Sequence, residues 1–409
     1  MTNDLENNEK VDKKTNGLLS GIRVLDLSRI LAGPYCTQLL GDYGADVIKV
    51  ERPGVGDDTR SWGPPYLGTK RGKSRIGSST ESAYYLSANR NKRSVALDMS
   101  TEEGASIIQE LSRHCDVVVE NFKVGGLKKY GLDYETLSNA HPELIYCSIS
   151  GFGQSGPNAH RPGYDLLAQA FGGIMSLTGE PQGEPMKVGV GIADVMCGMY
   201  ATTAILAALR HRDKTGEGQH IDIALADTQV AWLINGATNY LVSGNEPQRL
   251  GNQHPNIVPY QVFATRDGHV VVAVGNDVQF SRFCSIIGVD ELATDPRYQT
   301  NAGRLENRDA LIETLGEVIQ SMDKERLISA MEENGVPGGP INTLPEVFAS
   351  EQVAAREMKI TMSHDGAEEG EVDLIGNPVK FSKTPVTYRQ APPMCGEHTE
   401  EVLKEILNK

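Results

Sequence analysis

No two cysteines of this chain stand close enough to suggest a local disulfide or a metal clip. Cys36, Cys115, Cys147, Cys197, Cys284 and Cys395 are widely spaced, and no C-x-x-C pair or Cys/His ligand spacing occurs. A zinc module is excluded, and the cysteines read as reduced thiols of a cytoplasmic, cytosol-like compartment. Positive charge is also in deficit: Lys and Arg number 39 against 54 Asp and Glu, a formal charge of −15. Nucleic acid and anionic membranes are therefore poor general partners, and an anionic ligand would need a local basic patch. Long apolar runs are missing too. The most apolar stretches, residues 201–209 and 270–274, are too short to span a bilayer, so no membrane anchor is expected. The first residues are polar and carry Asp4, Glu6 and Glu9, unlike a secretory signal or an Arg-rich transit peptide, and residues 1–19 are expected to form a disordered tail. There is no internal repeat, no G-x-x-x-x-G-K-[ST] loop, no H-E-x-x-H pair and no G-x-S-x-G elbow. The common kinase, zinc-hydrolase and serine-hydrolase readings lose their support.

What is present is enough apolar sequence to fold. A chain of 409 residues with 39% hydrophobic and 23% charged residues has the composition of a soluble globular protein and the length for more than one domain. Short runs rich in β-branched residues at 22–27, 46–50, 94–97, 116–120 and 144–149 read as buried strands, and helical patterns lie between them. This alternation predicts an α/β fold with a parallel sheet. Ser100-x-x-Glu103 offers a capping box for the helix carrying Ala105, Ile107, Ile108 and Leu111 on one face. Residues 54–82 lack periodicity and read as an exposed, mobile excursion. A helix is expected over 194–210, ended by Lys214-Thr-Gly-Glu-Gly218, with a strand near 221–223. A different style follows: a hairpin over 261–274 turning at Asp267-Gly268, then helices near 277–286, 304–322 and 324–333. Strand-like segments at 371–374 and 379–381 and an amphipathic helix over 397–407 close the chain. The expected domains are a large one over 20–225, a small one over 226–345, and a segment 346–409 returning to the large domain.

Gly151-Phe-Gly-Gln-Ser-Gly156 follows a strand and matches the G-x-G-x-x-G of dinucleotide binders, which keeps an NAD-dependent oxidoreductase in view. Yet Pro157 and a polar run stand where that fingerprint needs a helix. Basic residues gather near strand ends: Arg52, then Arg90, Lys92 and Arg93, then Lys123, Lys128 and Lys129. A phosphate-bearing ligand would suit such a collar, and a solvated surface is the alternative reading. Asp194 lies in Val188-Gly-Val-Gly-Ile-Ala-Asp194, small residues leading into a helix start. It reads either as an N-cap or as a carboxylate nucleophile, ionised at neutral pH on its ordinary pKa.

The segments Gly21-Ile-Arg-Val-Leu-Asp-Leu27, Ala32-Gly-Pro34, Gly44-Ala-Asp-Val-Ile-Lys-Val-Glu-Arg52, Asn89-Arg-Asn-Lys-Arg93, Asp116-Val-Val-Val-Glu-Asn-Phe122, Gly163-Tyr-Asp-Leu-Leu-Ala-Gln169, Lys214-Thr-Gly-Glu-Gly-Gln219 and Gly396-Glu-His-Thr399 together resemble the class III CoA-transferases of the CaiB/BaiF type. Within that family, Glu51-Arg-Pro-Gly-Val-Gly-Asp-Asp-Thr-Arg60, Trp62-Gly-Pro-Pro65 and Ile257-Val-Pro-Tyr-Gln261 are most similar to the succinyl-CoA:glutarate enzymes. The resemblance implies a Rossmann-like large domain, a smaller α+β domain and an interlocked homodimer. It places the family's nucleophile on Asp194. Coenzyme A contacts fall on Arg29, Leu31, Ala32, Arg52, Leu97, Asp98, Met99, Ser100, Asn121, Phe122, Lys123, Lys129 and Tyr164. The implied reaction moves CoA from succinyl-CoA to a short dicarboxylate such as glutarate, through an acyl-aspartyl anhydride and an aspartyl-CoA thioester. CoA thioesters are substrates, with no prosthetic group and no metal. Another carboxylic acid is the alternative acceptor. The related 2-methylacyl-CoA racemases use Gly-His-Asp where this chain has Gly163-Tyr164-Asp165, and a tyrosine is a poor base at neutral pH. Leu31 stands where formyl-CoA enzymes have a polar residue, and Gly251-Asn-Gln-His-Pro-Asn256 stands where some members have a run of glycines. For a second carboxylate of the substrate, Arg249, His254, Tyr260 and Gln261 are the candidate donors.

Overall fold

The computed structural model describes residues 17–68 and 81–409. The expected tail before Gly17 lies outside them, as does the 69–80 part of the excursion. Residues 17–19 already belong to the folded unit, since Leu19 N–H donates to the Tyr43 carbonyl at 2.9 Å.

The chain forms two compact units. One comprises residues up to Gly172, Gly189–Trp232 and Ala354–Lys409, and the other comprises Gly173–Val188 and Leu233–Val353. The boundaries differ from those expected at 225 and 345 because tertiary partners decide them. Residues 225–231 are one helix whose Leu225, Ala226 and Gln229 are buried in the large unit. Residues 173–188 join the smaller one, where Gly251 N–H donates to the Gly179 carbonyl at 3.0 Å.

The large unit is built on a six-stranded sheet: β1 Arg23–Asp26, β2 Asp46–Glu51, β3 Lys92–Ala96, β4 Val117–Glu120, β5 Ile145–Ser150 and β6 Gln219–Ala224. All neighbours are parallel, in the order β3-β2-β1-β4-β5-β6. Parallel strands covered on both faces need apolar side chains in both directions, which is why β4 and the middle of β2 are rich in Val and Ile, whereas the edge strands β3 and β6 carry polar residues among them. One face packs the helices Ala32–Asp42 and Ile192–Thr215, and the other packs Glu102–Ser112 and Thr399–Leu407. The 24-residue helix Ile192–Thr215 extends well beyond the apolar run at 201–209 and, by length and composition alone, is long and apolar enough to cross a bilayer. Half of that apolar window is buried, with Cys197, Ala201 and Ile205 in the core, as in the central helix of a folded α/β unit. Gly198 lets this helix approach its neighbour: a Cβ there would sit 2.6 Å from the Ala32 carbonyl oxygen.

Other details differ from the sequence reading. The helix after β3 is capped by Thr101, whose hydroxyl accepts from Gly104 N–H, while Ser100 turns back to Asp98. The described part of the excursion is folded: Asp57 caps the short helix Asp58–Ser61, and Thr59 is fully buried. Residues 379–381 form no strand; β10 Lys359–Ser363 pairs instead with β11 Glu371–Ile375.

The smaller unit holds the hairpin β7 Tyr260–Thr265 and β8 Gly268–Ala273, extended by β9 Gly338–Pro340. Its core gathers Phe263, Phe280, Phe283, Leu311 and Leu315 around the fully buried Arg304, which donates to the carbonyls of Val258 and Tyr298 and to Asp277.

Candidate active site

In the strand order β3-β2-β1-β4-β5-β6 the connections diverge between β1 and β4, and ligands of such sheets bind at the carboxyl ends of the strands beside that point. A cleft of about 980 Å³ lies there. Arg29, Leu31 and Ala32 enter it after β1, Arg52 after β2, Leu97, Asp98, Met99 and Ser100 after β3, and Asn121, Phe122 and Lys123 after β4. Lys129, Tyr164 and Asp194 complete the residues that the sequence pointed to. The two loops at the divergence are tied together. Asn121 accepts from Arg29 N–H at 2.9 Å through Oδ1 and donates from its amide to the Arg29 carbonyl at 2.6 Å. Next to them Ile30 has φ 71°, a costly conformation for a β-branched residue, and its N–H is held by Asp57 at 3.3 Å.

The basic collar divides in two. Arg52, Lys123 and Lys129 line the cleft, as does Arg29, paired there with Asp58 at 2.5 Å. Lys128 points elsewhere, to Glu135. Arg90, Lys92 and Arg93 are not part of a ligand collar: they are buried and paired with Asp42, Asp26 and Asp46.

Asp194 is the third residue of its helix and is not the N-cap, a position held by Gly191. Capping falls to Asp165, one of whose carboxylate oxygens accepts from Ala193 N–H at 2.8 Å and from Asp194 N–H at 3.3 Å. The other accepts from the Gln169 amide at 2.6 Å. Gly191 leaves room for this arrangement, since a Cβ there would lie 3.2 Å from Leu31 and 3.7 Å from Asp165. Relieved of capping, the Asp194 carboxyl makes no side-chain hydrogen bond among the described residues and faces the cleft half-buried. Burial, and then the negative charge of Asp165, raise its pKa from 3.8 to about 7. The ordinary value taken from sequence is therefore corrected: at neutral pH only part of the population is ionised. Tyr84 feels the same charge. Burial first, then Asp194 and Asp165, raise its hydroxyl to about 12, and its ring meets Trp62 edge-on at 5.3 Å.

Gly151 and Gly156 do not form a dinucleotide fingerprint. Gly151 is small because the backbone of Gly163 crosses it, so that a Cβ on Gly151 would lie 2.4 Å from the Gly163 Cα, and no helix starts before Asp165. Tyr164 is exposed at the head of that helix and lines the cleft.

Sequence reading missed Trp62, His160 and Arg161, which also line the cleft. The signal available for Trp62 is an apolar indole in a polar excursion, which marks a binding surface. The four candidate substrate donors belong to the smaller unit. There Arg249 already donates to the carbonyls of Gly183 at 2.8 Å and Glu180 at 3.3 Å. His254 Nδ1 accepts from Asn256 N–H, its ring packs against Tyr260 at 5.1 Å, and Gln261 is buried within β7.

A carboxyl group relieved of capping, opening on a cleft with cations along its rim, suits acyl transfer from a phosphate-bearing thioester. The family model for CoA-transferase family III matches residues 19–399, and the chain belongs to that family. It is a class III CoA-transferase. Among its relatives are the succinate–glutarate CoA-transferase of Agrobacterium fabrum, 50% identical with 95% of each chain covered, and the succinyl-CoA:glutarate CoA-transferase of Homo sapiens, 45% identical over 95% of this chain and 86% of the human one. A crystal structure of a CaiB/BaiF family protein from Brucella suis superposes with a TM-score of 0.84, at 47% identity, covering 96% of this chain and all of the other.

Proposed function

We propose that this enzyme transfers CoA from succinyl-CoA to glutarate or a similar short dicarboxylate, with Asp194 as the covalent carrier. The observation that carries the reading is the Asp194 carboxyl itself, relieved of capping and without a side-chain hydrogen bond among the described residues, at the wall of the cleft. Two relatives named for succinate and glutarate support the choice of substrates.

In the first step the ionised Asp194 oxygen attacks the succinyl thioester carbonyl, forming the mixed anhydride and expelling CoA thiolate. The thiolate then attacks the aspartyl carbonyl, releasing succinate and leaving aspartyl-CoA thioester. Glutarate attacks that thioester to give a second anhydride and thiolate, and thiolate attack on the glutaryl carbonyl yields glutaryl-CoA and restores Asp194. Thioester energy is kept in covalent bonds throughout, so neither ATP nor a metal enters the balance. Arg29, Arg52, Lys123 and Lys129 would hold the phosphates of CoA, and the cleft walls would limit hydrolysis of the intermediates. A homodimer and a cytoplasmic location belong to the same proposal, on the strength of the family resemblance and the unpaired cysteines.

Incubation with succinyl-CoA and then hydroxylamine should place a hydroxamate on Asp194, and Asp194→Ala should fold yet transfer no CoA. Modification at another residue, or an active Asp194→Ala, would refute the carrier assignment. A panel of acids with succinyl-CoA tests the acceptor: acetate accepting CoA as efficiently as glutarate would refute the dicarboxylate preference.

A further inference from the structure

Two glutamates end the strands on either side of β1, at the sheet's carboxyl edge, but are held in opposite ways. Glu51, at the end of β2, meets Arg60 at 2.6 Å and is stabilised as a carboxylate by that guanidinium, despite its burial. Glu120, at the end of β4, is equally buried but has no cation against it among the described residues, and its neighbours are hydrogen-bond groups. One carboxyl oxygen accepts from Phe122 N–H at 2.8 Å. Ser148 is its register partner on β5 and its hydroxyl favours the ionised carboxyl from the side; that hydroxyl is 2.9 Å from His220 Nε2. The His220 ring is itself fixed, stacked on Tyr134 at 4.9 Å.

A buried acid without a counter-charge is costly to keep, and the bond it makes forward is to the loop of the cleft. Asn121, Phe122 and Lys123 all line that cleft; Asn121 clamps the β1 loop through Arg29, whose guanidinium lies 5.4 Å from the Phe122 ring. Fixing the Phe122 N–H therefore fixes the stretch that joins the two loops at the sheet's divergence.

We propose that Glu120 is a positioning residue for the acyl-CoA substrate: buttressed by Ser148 and His220, it sets the Asn121–Lys123 loop in its binding shape without touching the reacting atoms. The inference rests on the cleft being the CoA site. Only an acceptor oxygen is required at this position, so Glu120→Gln should retain function where Glu120→Ala does not.

The test is steady-state kinetics of both variants with succinyl-CoA and glutarate, beside CoA binding to the wild-type protein by calorimetry. Glu120→Ala should raise KM for succinyl-CoA about tenfold or more with kcat within about threefold, leaving KM for glutarate unchanged, and Glu120→Gln should stay within about threefold of wild type throughout. Ser148→Ala should fall between them. An unchanged KM in Glu120→Ala, or equal defects in Ala and Gln variants, overturns the positioning role. Wild-type protein that binds no CoA, or whose cleft variant Lys129→Ala binds it as well as wild type, overturns the reading of the cleft instead.

Discussion

The two ends of the central sheet use the same residue types for opposite purposes. Where β2 and β3 begin, the cations are enclosed with carboxylates: Arg90 meets Asp42 at 2.6 Å and Arg93 meets Asp46 at 2.6 Å, while Lys92, the first residue of β3, reaches along the sheet to Asp26 at the end of β1 at 3.1 Å. Where β2 and β4 end, Arg52, Lys123 and Lys129 face an open cleft. The carboxylates differ in the same way. Asp26 is fully buried but surrounded by Lys92, Lys49, Ser28 and Thr37, and its pKa falls to about 2; Asp194 is without such partners and rises to about 7. A charge that the fold has already neutralised serves stability, and one left without a partner is available to a ligand.

The largest effect expected from this contrast is on folding. Lys92→Met keeps the bulk of the side chain but leaves Asp26 short of its nearest cation, and removing one partner of a buried pair costs about 3–5 kcal/mol. Urea unfolding should register that loss for Lys92→Met and stay within about 0.5 kcal/mol of wild type for Arg52→Ala or Lys129→Ala. Equal destabilisation at both ends of the sheet would erase the distinction.

At the cleft the ranking reverses. Each charge-assisted contact to a phosphate is worth about 1–2 kcal/mol, so Arg52→Ala and Lys129→Ala should each raise KM for succinyl-CoA roughly tenfold. The defect should deepen in the double variant and shrink as salt is added, because the wild-type advantage is itself screened. A KM insensitive to both substitutions would remove these cations from the CoA site.

How much of this division was legible in the sequence varies with the range of the interactions. The strands of the large sheet begin and end within a residue or two of the expected runs, because each is marked by β-branched residues, most densely in the central strands buried on both faces. The helix Lys324–Glu333 has the bounds its periodicity predicted. Short-range competition misled elsewhere: Ser100 and Thr101 are both good caps, and only Asp98 beside Ser100 decides between them. The cleft residues came from resemblance to a family, but the division of the basic residues did not, since pairing Arg90 with Asp42 needs contacts across 48 positions. The capping of the Asp194 helix by Asp165 was likewise out of reach of local rules, and with it the elevated pKa.

That pKa leads to the smallest and most specific effect. A carboxyl at 3.8 in the unfolded chain and about 7 in the folded one makes the native state bind the extra proton between those values. Its contribution to stability is therefore fully present below about pH 4 and is lost as the pH rises through 7, the opposite of Asp26, whose contribution is present above about pH 4 and lost as the pH falls through 2. A shift of this size would convert to about 4 kcal/mol if the group were sealed from water, but Asp194 borders an open cleft, and about 1 kcal/mol is the realistic expectation. Asp194→Asn removes the titration while keeping size and polarity. The difference in thermal stability between Asp194→Asn and wild type should therefore be smallest near pH 4, grow steadily as the pH rises and level off near pH 8, where the variant is the more stable by a few degrees. The gain would come with loss of transfer, since the amide cannot carry the acyl group. A variant no more stable than wild type at pH 8 would mean that the Asp194 carboxylate is solvated in the free enzyme and that its desolvation awaits the substrate.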